Sequence, residues 1–262
     1  MEVPSLQDYK TWLEKEVPEW PLPAAEVNFR SVSSNAHLEF DKCPFIESIR
    51  KNLENWHDLY YLEKKGFPLW PSELPTIEIN DKTFDSFINK TYRKNIILNG
   101  NWSQAPSDGW VRQDNWYEKI NDLIRTQIIV KYMDGVEFLV GQLIELADSL
   151  NIDHRVDFEA KSEGYYAAHF YFFHDIIIPT KTFGSQTVKM SMEIQITTQL
   201  QDAIAKLTHD RYVTNRNLKS MDKDWRWNYQ DLNFKPSYLA HILHYVEGMI
   251  LEIRDRNNEK EA

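Results

Sequence analysis

The sequence holds a single cysteine, Cys43, so a disulfide framework is impossible and a cytoplasmic location is the default expectation. Cys43 itself reads as a small packing residue. No run of about 18 or more apolar residues occurs, so no membrane span is expected. The opening MEVPSLQDYK lacks a basic segment followed by an apolar one, so no secretory signal is expected. A basic excess is missing too. The 30 Lys and Arg face 40 Asp and Glu, a formal charge of -10, which argues against broad nonspecific binding of nucleic acid. Local basic clusters remain at Arg93-Lys94 and across Lys206, Arg211, Arg216 and Lys219, either as solvated helix faces or as patches.

What is present suits a folded enzyme-sized chain. With 262 residues, 42% hydrophobic and 13% aromatic, there is enough apolar material for a core, in one large domain or one domain with a helical extension. Ser5-Leu-Gln-Asp8 reads as a capping box opening a short helix. Pro18, Pro21 and Pro23 then interrupt the chain. A helix is expected from about Pro44 to Lys65, with Phe45, Ile46, Ile49, Leu53, Trp56 and Tyr60 on one face. A further helix is expected over Asp81 to Tyr92. Asn99 to Asp114 is polar and turn-rich, a candidate mobile segment near a site.

The middle of the chain turns β-branched. Strands are expected over Thr126 to Tyr132, Arg155 to Ala160, Tyr165 to His174 and Thr187 to Thr197. After the first, Asp134 is placed to cap a helix with Val136, Leu139, Val140, Leu143, Ala147 and Leu150 on one stripe. Thr198-Gln-Leu-Gln201 reads as a second capping box. Pro236 opens a last helix, whose inward face is expected to carry Tyr238, Ile242, Leu243, Val246, Met249 and Ile250. There is no internal repeat. The order predicts an α+β fold, a mixed sheet covered by helices. It is divided into a helical extension (1–80), a central domain (81–216) and a loop with a C-terminal helix (217–262).

Three segments carry candidate chemistry. In Thr187 to Thr197, alternation puts Val188, Met190, Met192, Ile194 and Ile196 on one face and Lys189, Ser191, Glu193, Gln195 and Thr197 on the other. A polar face on a central strand is costly unless it borders a cleft or solvent. In Glu163 to His169, Gly164 gives a turn, and small Ala167 between Tyr165 and His169 leaves room for a flat ligand. Tyr165 can stack on a nucleobase or serve as a core tyrosine. In Ile120 to Val130, Asp122 stands just before a strand. Magnesium commonly takes one or two protein carboxylates plus waters and phosphates, and Asp122 and Glu193 can supply that pair if their strands are neighbours. Capping or a surface ion pair is the other reading of Asp122.

Together D122-L-I-R-T-Q-I-I-V, Y132-M-D-G, K161-S-E-G-Y-Y-A-A-H169, M192-E-I-Q-I-T-T198 and T208-H209 resemble the synthetase domain of the RelA/SpoT alarmone enzymes. The resemblance covers about Tyr92 to Arg216. It implies a nucleotidyltransferase-like fold that passes pyrophosphate from ATP, with Mg2+, to the 3′-hydroxyl of GDP or GTP. A toxic branch of the family modifies the 3′ end of tRNA and is paired with an antitoxin. By position, Asp122 and Glu193 resemble the magnesium and catalytic carboxylates, and Tyr165 the tyrosine that stacks on the acceptor base. His169 resembles a histidine that contacts phosphate or orients Glu193. The resemblance also implies that Lys161 and Gln195 line the acceptor side, and His209 resembles the histidine that closes the site. Arg93, Lys94 and Arg125 are the candidates for ATP. The sequence departs from the family at Gln127 and Tyr166, where arginines are usual, and in the blurred basic stretch Thr91 to Asn95. These departures keep a catalytically inactive binding module open beside a guanosine or tRNA transferase. No hydrolase-type His and His-Asp set accompanies His209-Asp210, so alarmone hydrolysis is not expected. The acceptor and the oligomeric state stay open.

Overall fold

The structure, a computed structural model, describes residues 4–16, 21–112, 115–179, 184–215 and 225–260, with side chains for all of these but 16, 179, 208–215, 225 and 258–260. In chain order come α1 (Leu6–Glu16), α2 (Leu22–Asp41), α3 (Pro44–Glu63), β1 (Asn80–Asp81) and α4 (Phe84–Tyr92), which continues as a π-helical turn over Arg93–Ile97. Then follow α5 (Trp116–Lys119), β2 (Ile124–Val130), α6 (Met133–Ser149), β3 (His154–Ala160), β4 (Tyr166–Pro179), β5 (Ser185–Thr198), α7 (Gln199–Asn215) and α8 (Phe234–Lys260). The fold is α+β, with helices and a mixed five-stranded sheet in the order β1-β2-β5-β4-β3. β1 pairs antiparallel with β2, and β3 antiparallel with β4. No helix among the described residues is long and apolar enough to cross a membrane.

Local chemistry explains most of these boundaries. The Ser5 hydroxyl accepts from the Asp8 amide at 3.2 Å while the Asp8 carboxylate accepts from the Ser5 amide at 3.1 Å, the reciprocal pair a capping box requires. Thr198 Oγ1 likewise accepts from the Gln201 amide at 3.2 Å. α4 starts later than expected because Thr83 caps it, accepting from the Ser86 amide. α2 is a helix that the prolines concealed. Pro21 stands at its N-cap and Pro23 inside its first turn, where the missing N–H costs nothing.

The chain divides into two compact units, each made of three separate stretches. The first comprises Met1–Lys42, Ile79–Arg125 and Phe173–Glu193. Its aromatic core joins Phe29, Phe84, Phe87 and Trp116, with ring centroids 4.7 to 5.9 Å apart. The polar segment expected to be mobile is tied down here. The Asn95 amide donates to Tyr9 Oη and to the Val111 carbonyl, both at 2.8 Å, and accepts from the Val111 amide at 2.9 Å. Residues 113 and 114 lie outside the described ones.

The second unit comprises Cys43–Glu78, Thr126–Phe172 and Ile194–Ala262. The α3 stripe is buried as its periodicity predicts, and Phe45 meets Phe170 and Phe172. Gly135 lets α6 approach, since a Cβ there would lie 3.0 Å from Leu69 Cδ1 and 3.3 Å from Val130 Cβ. Cys43 is buried, as a packing residue should be.

Two expectations for this unit are corrected. Asp134 does not cap α6: the N-cap is Tyr132, and the Asp134 carboxylate instead accepts from Arg254 Nη2 at 2.7 Å and Tyr60 Oη at 2.8 Å, with Lys64 Nζ 3.6 Å away. On α8, Tyr238, Ile242, Met249 and Ile250 are exposed, Ile242 at 56%. The buried positions are Ser237, Ala240, Glu247 and Arg254. The helix is oriented by what its polar residues bond to. Glu247 accepts from Gln201 Nε2 at 3.3 Å, and Arg254 donates to Asp134, so four of the six predicted apolar positions are left exposed while Leu243 and Val246 are half-buried. Burial raises the Asp134 carboxyl, but hydrogen bonds from Arg254 and Tyr60 outweigh it and hold the group below its ordinary range.

Removing one member of a buried ion pair strands the other. Arg254→Met is therefore expected to cost about 3 kcal/mol in denaturant unfolding, with Asp134→Asn added to it recovering part of the loss. Additive single and double variants would show that the pair is not coupled.

Candidate functional site

In the first unit, antiparallel pairing of β1 and β2 sets Asp81 opposite Ile124, and the Lys82 amide donates to the Leu123 carbonyl at 2.8 Å. This places Lys82 beside the turn that ends in β2, where Asp122 sits. Lys82 Nζ lies 2.9 Å from Asp122 Oδ2, and Lys90 Nζ, from α4, lies 2.6 Å from Oδ1. Burial alone would raise the Asp122 carboxyl, but Lys90 and then Lys82 more than offset it and draw the group down to about 2. Lys94 follows one helical turn after Lys90 and donates to the Lys119 carbonyl at 2.8 Å. Burial, and then the Lys90 charge, lower its proton affinity; burial likewise lowers that of Lys82, with Arg125 adding to the effect. Two lysines thus hold the Asp122 carboxylate, and a third, Lys94, lies within electrostatic reach of it and of Asp108.

Glu193 belongs to the same unit. It lies on β5, the sheet neighbour of β2, and is 3% exposed. Ser191, two residues earlier on the same face, has its hydroxyl 3.3 Å from both the carbonyl and the side-chain oxygen of Asn121. Asp122 thus lies in the turn that enters β2, and Glu193 on the neighbouring strand β5, two residues beyond the serine that meets Asn121. Val188, Met190, Met192, Ile194 and Ile196 are buried on the opposite face, as the alternation predicts. Among the described residues no group of three or more His, Cys, Asp or Glu is placed to hold a metal ion. A magnesium site of one or two carboxylates completed by phosphates needs no such group. Both Asp122 oxygens are engaged by lysines, so a cation reaches Asp122 only if an ammonium moves off it.

Arg93 is half-buried in the π-helical turn, and Arg125 is exposed on β2. Of the residues anticipated for ATP, Lys94 and Arg125 fall within the electrostatic reach of the Asp122 cluster. Lys82 and Lys90 escaped the sequence reading. Lys90 gave one signal: it has no carboxylate three or four residues away on its own helix, so its partner had to come from elsewhere.

The second unit gathers another set. A tight turn closes with Gly164 N donating to the Lys161 carbonyl at 2.9 Å and Lys161 N donating to the Tyr165 carbonyl at 2.9 Å. Tyr165, just before β4, is half-buried rather than sealed in the core. Its hydroxyl is 2.9 Å from His169 Nε2, and Lys161 Nζ sits 5.0 Å from its ring centroid. His169 is buried, with Nδ1 3.2 Å from the Tyr171 hydroxyl. Glu159 receives Lys161 at 2.5 Å and lies 3.8 Å from His169 Nε2. Lys161, Tyr165 and His169 are thus brought together, with Glu159 and Tyr171 as members the sequence did not point to. Gln195 is half-buried on the polar face of β5. The side chain of His209 lies outside the described residues, as do those of Arg211, Arg216 and Lys219.

A carboxyl with a lowered folded value contributes its stabilisation in full above its ordinary value of 3.8, and loses it as pH falls toward about 2. Carboxyl-carbon NMR should therefore show Asp122 still ionised at about pH 3. Lys82→Met with Lys90→Met should move its titration upward into the ordinary range or beyond, because burial is then unopposed. An unchanged midpoint in that double variant would remove the lysines as the cause.

No family model matches the chain, and no curated protein matches it. Solved structures similar to it include the small alarmone synthetase 2 from Bacillus subtilis, at 19% identity and a TM-score of 0.45, covering 79% of this chain and 92% of that one. A GTP pyrophosphokinase family protein from Streptococcus pneumoniae is similar at 19% identity and a TM-score of 0.49, covering 85% and 94%. The small alarmone synthetase 1 from Bacillus subtilis bound to its product pppGpp is similar at 16% identity and 0.49, covering 83% and 96%. The likeness is distant, and residue roles do not transfer through it.

Proposed function

We propose that the chain is a pyrophosphotransferase that moves the β,γ-diphosphate of ATP to the 3′-hydroxyl of a guanosine nucleotide, GDP or GTP. The observation that carries this reading is the Asp122 carboxylate held by two lysines at the entry to β2, the sheet neighbour of the strand bearing buried Glu193. Phosphoryl-type transfer asks a protein for positioning and for neutralisation of charge. Lys82, Lys90, Lys94 and Arg125 gather four positive groups near Asp122 and Asp108; polyphosphate is the anion this suits. Lys90 and Lys82 move from Asp122 toward phosphate when ATP binds, freeing carboxylate oxygens. Those oxygens, with Glu193, would hold Mg2+, which would supply neutralisation of the phosphate charge. The acceptor 3′-oxygen attacks the β-phosphorus, the bond from that phosphorus to the α,β-bridging oxygen breaks, and AMP leaves. Glu193 takes the hydroxyl proton.

On the acceptor side, the half-buried Tyr165 ring meets the guanine base, with Lys161 and Gln195 along the nucleotide and His169 holding the tyrosine hydroxyl. Arg93 and His209 stay as further candidates from the resemblance. A tRNA 3′ end is the second acceptor to test, since a terminal adenine can also stack on a tyrosine; in that case an antitoxin is the expected partner. The third possibility is a nucleotide-binding module without transfer.

With ATP labelled at the β-phosphate, Mg2+ and either GDP or deacylated tRNA, label is expected in the guanosine nucleotide. Glu193→Gln should lower kcat by about a hundredfold or more. Tyr165→Ala should raise the acceptor KM about tenfold through the lost stacking. Label at the tRNA end would replace the acceptor, and no transfer above Glu193→Gln with either acceptor would leave only the binding module.

A further inference from the structure

The turn that presents Tyr165 is gripped by α8, a helix outside the region of family resemblance. Gly164 has φ +88°, and a Cβ there would lie 2.6 Å from Ala240 Cβ and 2.8 Å from the Ser237 carbonyl oxygen. Glycine therefore serves both the turn and the close approach of the helix. The next residue of α8, His241, bonds the turn on both sides of Tyr165. Its Nε2 is 2.9 Å from the Ser162 carbonyl oxygen and its Nδ1 2.6 Å from the Tyr166 hydroxyl. A carbonyl only accepts, so Nε2 carries a proton; in the neutral ring Nδ1 then accepts from Tyr166. One turn further, His244 lies flat on the Tyr166 ring, with centroids 3.6 Å apart and planes 7° from parallel. Ser162, Gly164 and Tyr166 are all fastened to one helix, while the ring of Tyr165 itself stays half-buried.

We propose that His241 is a positioning residue for the acceptor nucleobase: by bridging Ser162 and Tyr166 it sets the attitude of the Tyr165 ring. The inference rests on the reading of Tyr165 as the acceptor platform. Neighbours of Tyr165 held by two hydrogen bonds and a stack leave that residue little backbone freedom, so the ring is pre-ordered before a base arrives. Preordering of this kind acts on affinity for the ligand that meets the ring, not on the donor or on the chemical step.

The test uses the full-length protein and the variants His241→Ala, His241→Gln and Tyr166→Phe. Hydrogen exchange without nucleotide is expected to quicken in peptides spanning 161–167 for His241→Ala, with α3 and α6 unchanged. KM for GDP should rise about tenfold while KM for ATP and kcat stay within about twofold. Tyr166→Phe should show part of this. His241→Gln, whose amide can still donate to the Ser162 carbonyl, should recover most of it. Exchange that is unchanged, or faster throughout the unit, overturns the proposal, as does an equal rise in both KM values. Wild-type protein that neither binds nor uses GDP overturns the acceptor reading itself. The exchange measurement separates the two failures, because it reads the grip on the turn with no nucleotide present.

Discussion

A buried carboxylate survives as an anion only where positive charge meets it, and Asp122 is the point around which the first unit is organised. The pairing of β1 with β2 delivers Lys82 to one oxygen. The Thr83 cap sets where α4 begins, and so delivers Lys90 to the other. Lys94 then has to sit near Lys90, an unfavourable crowding of like charges that Asp108 and then Asp122 relieve only in part. The gathering of positive charge is local, in a chain with an overall charge of -10.

The second unit shows a complementary logic, with aromatic rings held by imidazoles. Tyr165 and Tyr166 are adjacent yet take opposite roles because strand geometry turns them to opposite sides. Tyr165, just before β4, hydrogen-bonds to His169 on that strand, whereas Tyr166 is bonded by His241 and covered by His244, both from α8. Where the resembled family usually carries arginine, Tyr166 supplies a flat ring and a hydroxyl for a helix to fasten. The departure at this position is thus accounted for by packing.

Much of this was legible in the sequence. Helix α3, the alternation in β5, the capping box at Ser5, the Thr198 half of the second box and the turn at Gly164 follow from local rules, because each depends on residues a few positions apart, whereas the Gln201 side chain turns to α8 instead of Thr198. Whether the strand after Asp122 neighbours the strand bearing Glu193 was open in the sequence, and the sheet order makes β2 and β5 neighbours. Lys82 and Lys90 were missed because an ion pair across 32 to 40 residues leaves no periodicity to read. α2 was hidden by prolines that turn out to occupy tolerated positions. α8 was rotated wrongly because apolar spacing was taken to mark its inner side, whereas Glu247 and Arg254 find partners that only tertiary structure supplies.

The Arg254 bridge has a consequence for how the protein is made. Its guanidinium bonds Tyr60, 194 positions earlier, and Asp134, 120 positions earlier. During synthesis α3 and α6 leave the ribosome long before the residue that neutralises the acid between them. The second unit therefore reaches its final electrostatic balance only after translation of α8, with most of the chain already outside the exit tunnel. Closing contacts over so long a separation is slow, and it leaves the half-made unit dependent on whatever shields its unfinished surface in the interval.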